Sequence, residues 1–140
     1  MTPVIAQTTD IATCQRLRHQ VFVEEQGVAT ELEVDGLDGQ AVHLLATLAG
    51  RPVGTARLLI YGDKGKVGRV CVLADQRGTG LGAALMQAAV AHFRSQPGVA
   101  QVTLGAQVTA LGFYERLGFV AQGPVFEDAG IDHREMILRL

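Results

Sequence analysis

The chain has 140 residues, of which 48% are hydrophobic and 19% charged, a balance that excludes wholesale disorder and suits a single domain spanning 1–140. Fourteen acids against twelve Lys plus Arg leave a formal charge of −2, and there is no Trp and only seven Phe plus Tyr, so neither the basic stripe nor the stacking platform of a nucleic-acid binder is present. No apolar run approaches the ~20 residues of a membrane span, and Cys14 and Cys71 form no CxxC pair. The composition therefore points to a cytoplasmic protein with no nucleic-acid partner, no membrane partner and no metal.

In chain order, residues 3–7 read as a short strand, and Asp10 is placed to cap a helix over 11–23 whose apolar face holds Ile11, Leu17, Val21 and Phe22. Residues 24–40 are polar and glycine-punctuated, with six acids (Glu24, Glu25, Glu31, Glu33, Asp35, Asp38) and no base. Three strand-like runs follow, 43–48, 53–61 and 66–73, with connections short enough for an antiparallel meander. Residues 79–95 form a helix with Leu81, Leu85, Ala88 and Ala89 on one face, stopped by Pro97-Gly98. A strand at 99–106, a short helix at 109–117, a short strand at 119–121 and a final strand at 136–140 complete the pattern. The order is β-α-β-β-β-α-β-α-β-β, an α/β (α+β) mixed sheet with antiparallel N-terminal strands, a βαβ crossover and flanking helices.

The chemistry concentrates at Arg77-Gly78-Thr79-Gly80-Leu81-Gly82, where three of the seventeen glycines fall in five residues between a strand end and a helix start. Glycines there leave backbone N–H groups open to close approach by a phosphate, and the helix dipole adds to the attraction. A tight turn without a ligand is the plain alternative. No lysine follows as a P-loop requires. The dinucleotide fingerprint wants an acid about 20 residues on, and none occurs between Asp75 and Glu115.

Arg77 to Gly82 resembles the R/Q-x-x-G-x-G/A acyl-CoA pyrophosphate motif of the GNAT acetyltransferase family. Gly68 to Leu73 resembles that family's fourth strand, and Phe113-Tyr114-Glu115-Arg116-Leu117-Gly118-Phe119 its C-terminal helix signature. The segment 17–26, the later Glu33-Val34-Asp35 and Asp38, and Ala106-Gln107 resemble the bacterial ElaA/YjcF-like subgroup. The resemblance spans essentially the whole chain in order and implies a GNAT fold whose βαβ core binds acyl-CoA.

It further implies an N-acetyltransferase that takes acetyl-CoA as donor and a small-molecule amine as acceptor, by direct attack, and that pairs as a homodimer. The backbone of Arg77, Gly78, Thr79, Gly80, Leu81 and Gly82 is expected to cradle the pyrophosphate, with a charge-assisted contact from the Arg77 side chain. The fourth strand at Val70, Cys71 and Val72 is expected to hold the pantetheine arm, with an N–H near Cys71 or Val72 on the thioester carbonyl. Tyr114 takes the general-acid position. Histidine titrates near neutrality, which makes His133 the candidate base, with Glu25 as runner-up. Arg69 and Gln107, together with Glu25 and His133, are the candidate acceptor-pocket residues. The acidic stretch 24–38 reads either as a recognition surface for a cationic amine or as a solvated loop. Six bases over 51–77 against two acids suit an anionic cofactor on that side. Two other readings stay open: a non-catalytic acyl-CoA sensor, and an acetylator of protein lysines or N-termini.

Overall fold

A computed structural model describes residues 2–140. Strand β1 (Val4–Thr8) leads into helix α1 (Ile11–Arg18), whose N-terminus is capped as the sequence suggests: the Asp10 carboxylate accepts from the Thr13 backbone N–H at 3.2 Å. The helix does not run on unchanged to residue 23. From His19 to Glu25 it widens into a π-helix, a form concentrated at functional sites. A single helical turn, α2 (Thr30–Glu33), sits within the acidic segment.

Strands β2 (Val42–Leu48), β3 (Arg51–Tyr61) and β4 (Lys64–Val72) form the antiparallel meander. Helix α3 (Leu81–Arg94) then crosses over to β5 (Gln101–Gln107), which lies parallel to β4. Helix α4 (Leu111–Arg116) and a hairpin of β6 (Val120–Asp128) and β7 (Ile131–Arg139) complete a seven-stranded sheet in the order β1-β2-β3-β4-β5-β7-β6. The mixed sheet, the antiparallel meander and the crossover match the sequence reading. The last two strands are far longer than the expected 119–121 and 136–140.

One face of α3 (Leu81, Leu85, Met86, Ala89, Phe93) packs on the sheet with Leu44, Val53, Leu58, Val102 and Met136 to make the main core. A second, smaller core of Leu17, Val21, Cys71 and Leu73 fixes α1 to the opposite face. With both faces covered, a wide opening in the sheet lies where two neighbouring strands part. β4 and β5 pair only at Lys64↔Gln101, Gly65↔Val102 and Lys66↔Thr103, and from there they diverge.

Gly65 sits at the root of that divergence for a steric reason. A Cβ on it would lie 2.5 Å from the ring of Phe93, which is fully buried. Substitution Gly65→Ala is therefore expected to destabilise the fold by about 1–3 kcal/mol through overpacking, read as a lower midpoint in urea unfolding. An unchanged midpoint would mean that the Phe93 ring is free to move aside.

Candidate active site

The gap between β4 and β5 is the scaffold of the site. At its wide end the chain leaves β4, turns through Ala74–Gln76 and enters α3 through Gly78 and Gly80, both left-handed (φ 77° and 89°). Only glycine takes this conformation without strain. Gly80 is the N-cap of α3 and supplies no side-chain cap. The first intrahelical bond is from Ala84 N–H to Gly80 O (3.0 Å), so the preceding N–H groups of the first turn have no helical partner. They point out of the N-terminal end of a 14-residue helix, which is the electrostatics an anion needs. Gly82 lies under the Phe113 ring, which a Cβ there would touch at 3.4 Å, an ordinary contact, so α4 packs directly on the first turn of α3.

The gap itself is set by backbone alternation. Leu73 N–H donates to Val53 O at 2.9 Å, and Cys71 stands opposite Thr55, so the backbone of Cys71 and Leu73 is committed to β3. The alternate positions Val70 and Val72 turn toward the gap. This corrects the expectation for Cys71, whose N–H is unavailable to a thioester. Its thiol is buried, with burial raising it to about 12, and is no nucleophile. A β-bulge lies just before, since β4 uses one more residue than β3 between Thr55↔Cys71 and Arg57↔Gly68. Arg69 occupies that bulge at φ 51°, an uncommon conformation for a side-chain-bearing residue, and one that clusters at functional sites.

A cavity of about 670 Å³ opens on the α1 side of the gap. Four of the sequence candidates line it: Arg69 from the bulge, Gln107 from the end of β5, Tyr114 from α4 and His133 from β7, with Val70 beside them. Tyr114 is held edge-on between Phe113 (centroids 4.9 Å apart) and Phe119 (6.1 Å). Its hydroxyl has no hydrogen-bond partner among the described residues, and burial raises the phenol above its ordinary value, so it stays protonated through the neutral range. His133 stacks on Phe126 and its Nδ1 lies 2.7 Å from Ile131 O. A carbonyl only accepts, so the neutral ring carries its proton on Nδ1 and leaves Nε2 as a bare acceptor. Gln107 Nε2 donates to Gln26 Oε1 at 3.0 Å. Gln26, which the sequence did not single out, thereby ties the end of the π-helix to the tip of β5.

Two of the sequence candidates are engaged elsewhere. Glu25 and Arg77 form a two-pronged ion pair, with Arg77 Nη2 to Glu25 Oε1 at 2.9 Å, and the same guanidinium donates to Val72 O at 3.0 and 3.2 Å. The pairing lowers the Glu25 carboxyl, which makes it a poorer base, and Glu25 does not line the cavity. The Arg77 side chain is turned to Glu25 and β4, so the expected contact with a pyrophosphate falls to the backbone of the loop.

The acidic stretch is also largely paired internally, because Glu33, Asp35 and Asp38 pair with Arg18 of α1 and with the strand arginines Arg57 and Arg69. Arg18, 1% exposed, donates through Nε to Glu33 (2.7 Å) and through both Nη atoms to Asp38 (3.0 and 2.8 Å). Arg57 clasps Asp35 at 2.8 and 2.7 Å and reaches Asp38 at 3.2 Å. Of the six acids, only Glu24 and Glu31 are left without an arginine partner among the described residues, and of the six bases Arg57, Arg69 and Arg77 are drawn into these pairs. The sequence did hold a signal: Arg57 sits mid-strand among buried residues, and a buried arginine needs carboxylate partners. The arginines hold Asp35 at about 2 and Asp38 lower still, despite their partial desolvation. With folded values depressed below the unfolded one, this stability is present above about pH 4 and is lost as pH falls toward 2. Asp35 is exposed, so solvent screening holds its share to about 1 kcal/mol. Thermal melts are expected to show an acid-side decline that is flatter in Asp35→Asn; an equally steep decline would contradict the assignment.

Among the described residues no helix is long and apolar enough to cross a membrane, and no group of His, Cys, Asp or Glu is arranged to hold a metal. The sequence profile of the acetyltransferase (GNAT) domain matches residues 8–140. The Bacillus subtilis protein named uncharacterized N-acetyltransferase YjcF is 35% identical over 86% of this chain and 86% of its own. The crystal structure of Escherichia coli ElaA superposes with a TM-score of 0.86 at 27% identity, covering 97% of this chain and 99% of that one. An acyl-CoA N-acyltransferase from Pseudomonas aeruginosa gives 0.84 at 32% identity, with 97% of each chain covered. A divergent pair of strands closed by a bare helix N-terminus thus comes with whole-chain likeness to enzymes of one kind, and the chain belongs to the GNAT acetyltransferase family as an acyl-CoA-dependent N-acetyltransferase related to YjcF and ElaA.

Proposed function

We propose that the protein transfers an acetyl group from acetyl-CoA to a primary amine of a small molecule by direct attack, without an acetyl-enzyme. The observation that carries this reading is the convergence of Tyr114, His133 and Val70 on one cavity at the β4–β5 gap. A thioester donor supplies an activated acyl group. The open N–H groups from Gly78 to Gly82 fit its pyrophosphate, and the gap-facing backbone of Val70 and Val72 fits the amide arm; Arg77 vacates Val72 O when that arm hydrogen-bonds there.

In this reading His133 Nε2 removes a proton from the incoming ammonium, which is otherwise fully protonated at neutral pH. The Val70 N–H is the donor for the negative charge that develops on the acyl oxygen as the N–C bond forms. As the C–S bond breaks, the Tyr114 hydroxyl gives its proton to the sulfur, and the second proton that the nitrogen sheds on becoming an amide restores the phenol by way of solvent. The two desolvated partners, phenol and thiolate, are both shifted upward by burial, which keeps the transfer feasible. Two buried free thiols, Cys14 and Cys71, fit the reducing setting of a cytoplasmic protein.

A thiol-release screen with acetyl-CoA over amino acids, polyamines, amino sugars and peptides tests this reading. Saturable release that requires an amine, with one N-acetylated product per thiol, is expected. Tight acetyl-CoA binding with no release across the panel would instead identify a non-catalytic sensor.

A further inference from the structure

The buried polar network on the cavity wall is not evenly shared. Arg18 and Arg57 take the short, well-aligned bonds to Glu33, Asp35 and Asp38, at 2.7–3.2 Å. Arg69 receives what remains. Its best bonds, at 3.1 and 3.3 Å, go to the Glu33 backbone carbonyl, and its carboxylate contacts are long, at 3.3 Å to Asp35 and 3.7 Å to Glu33. Its Nη1 has no partner among the described residues. Beside it, Arg57 is 95% buried and its Nε is likewise without a partner. The wall formed by 33–35, β3 and β4 therefore keeps two N–H donors free among the described residues, at Arg69 Nη1 and Arg57 Nε, although three acids stand beside three arginines there. A ligand group meeting these donors must accept hydrogen bonds, and a carboxylate does so most strongly.

Position narrows the ligand further. Arg69 is the residue before Val70, whose N–H faces the acyl carbonyl in the proposed reaction, and its left-handed backbone at the bulge brings its guanidinium into the cavity that His133 also lines. Both side chains open into the same cavity, which suits an acceptor that carries its amine and its anion on one small molecule. The cavity lining is mixed: Lys66, Asp128 and Glu135 are charged, while Phe22, Leu59 and Phe126 offer an apolar surface to a side chain.

Building on the acyl-transfer reading above, we propose that the acceptor is an amino acid with an apolar side chain, its carboxylate held by Arg69 Nη1, its amine at His133 and its side chain on the Phe22–Leu59–Phe126 surface. Arg69 is then the residue that selects a carboxylate-bearing amine over a plain amine or a polyamine.

Matched acceptors test this with the thiol-release assay. L-phenylalanine is compared with phenethylamine and phenylalaninamide, L-leucine with 3-methylbutylamine, and spermidine serves as the polycation. The wild-type protein is expected to favour each amino acid at least tenfold in kcat/KM over its decarboxylated or amidated counterpart. In Arg69→Gln that ratio falls to near one, chiefly through KM, and Arg69→Lys keeps part of it. Equal or better turnover of the decarboxylated amines or of spermidine by the wild type overturns the proposal, whether or not the variants fold. So does a ratio that persists in a folded Arg69→Gln. Failure of the underlying reading looks different: acetyl-CoA binds and none of the compounds releases thiol, which removes both.

Discussion

Tyr114→Phe is expected to lower kcat by about 10²-fold or more while acetyl-CoA binding and thermal stability stay close to those of the parent. The separation follows from what the hydroxyl does not do. It bonds to no other described residue, and the edge-on contacts to Phe113 and Phe119 involve only the ring, which Phe retains. Loss of the oxygen therefore removes a proton donor without opening a cavity or stranding a buried partner. The defect is confined to departure of the thiolate, so it should appear in single-turnover acyl transfer and not in product release. A Tyr114→Phe protein that keeps full turnover with chemistry rate-limiting would hand the proton donation to water and remove Tyr114 from the mechanism.

The largest expected effect on stability comes from Arg18→Met. The guanidinium is almost wholly buried and makes three bonds to two carboxylates. Its removal leaves Glu33, itself 5% exposed, as a buried charge paired only at 3.7 Å with Arg69. Breaking a buried pair from one side costs about 3–5 kcal/mol, a large share of the stability of a domain this size. The triple replacement Arg18→Met, Glu33→Gln, Asp38→Asn should recover much of the loss, because the penalty belongs to the stranded charges and not to the absence of the pair. Urea unfolding of the two proteins decides it: equal instability would show that the network's geometry, not its charge balance, holds the 33–38 segment to α1 and β3. Because that segment also walls the cavity, a folded Arg18→Met protein should raise KM for the acceptor more than KM for the donor.

Local signals account for what the sequence made legible. The meander of β2 to β4 announces itself through short turns between apolar runs, and α3 through its apolar face, its Pro97-Gly98 stop and the glycines before it. Tyr114, His133, Arg69 and Gln107 line one cavity, reaching it from α4, from β7, from the β4 bulge and from the end of β5. Long-range pairing was not legible. The acids of 24–38 and the bases of 51–77 look like two separate charge blocks when counted along the chain, and only the fold reveals that Arg57 reaches Asp35 and Arg77 reaches Glu25.

The β6–β7 hairpin escaped for two physical reasons. β6 is exposed along almost its whole length and carries a register shift between Gln122 and Phe126, so it shows no alternation. Its turn uses Ala129 and Gly130 at φ 52° and 78°, where an Asn or Asp in the first position would have flagged the turn. The π-helix at 19–25 has no composition of its own, and it sets the path that carries Gln26 to Gln107.

The central claim is direct transfer from a thioester to an amine across the β4–β5 gap. Intact-mass spectrometry of the protein after incubation with acetyl-CoA, paired with thiol release in the presence and absence of L-phenylalanine, tests it most directly. The account predicts an unmodified protein in both mixtures, and thiol release only when the amine is present, matched one for one by N-acetylated product. An acetyl group retained on the protein and passed on when the amine is added would contradict it.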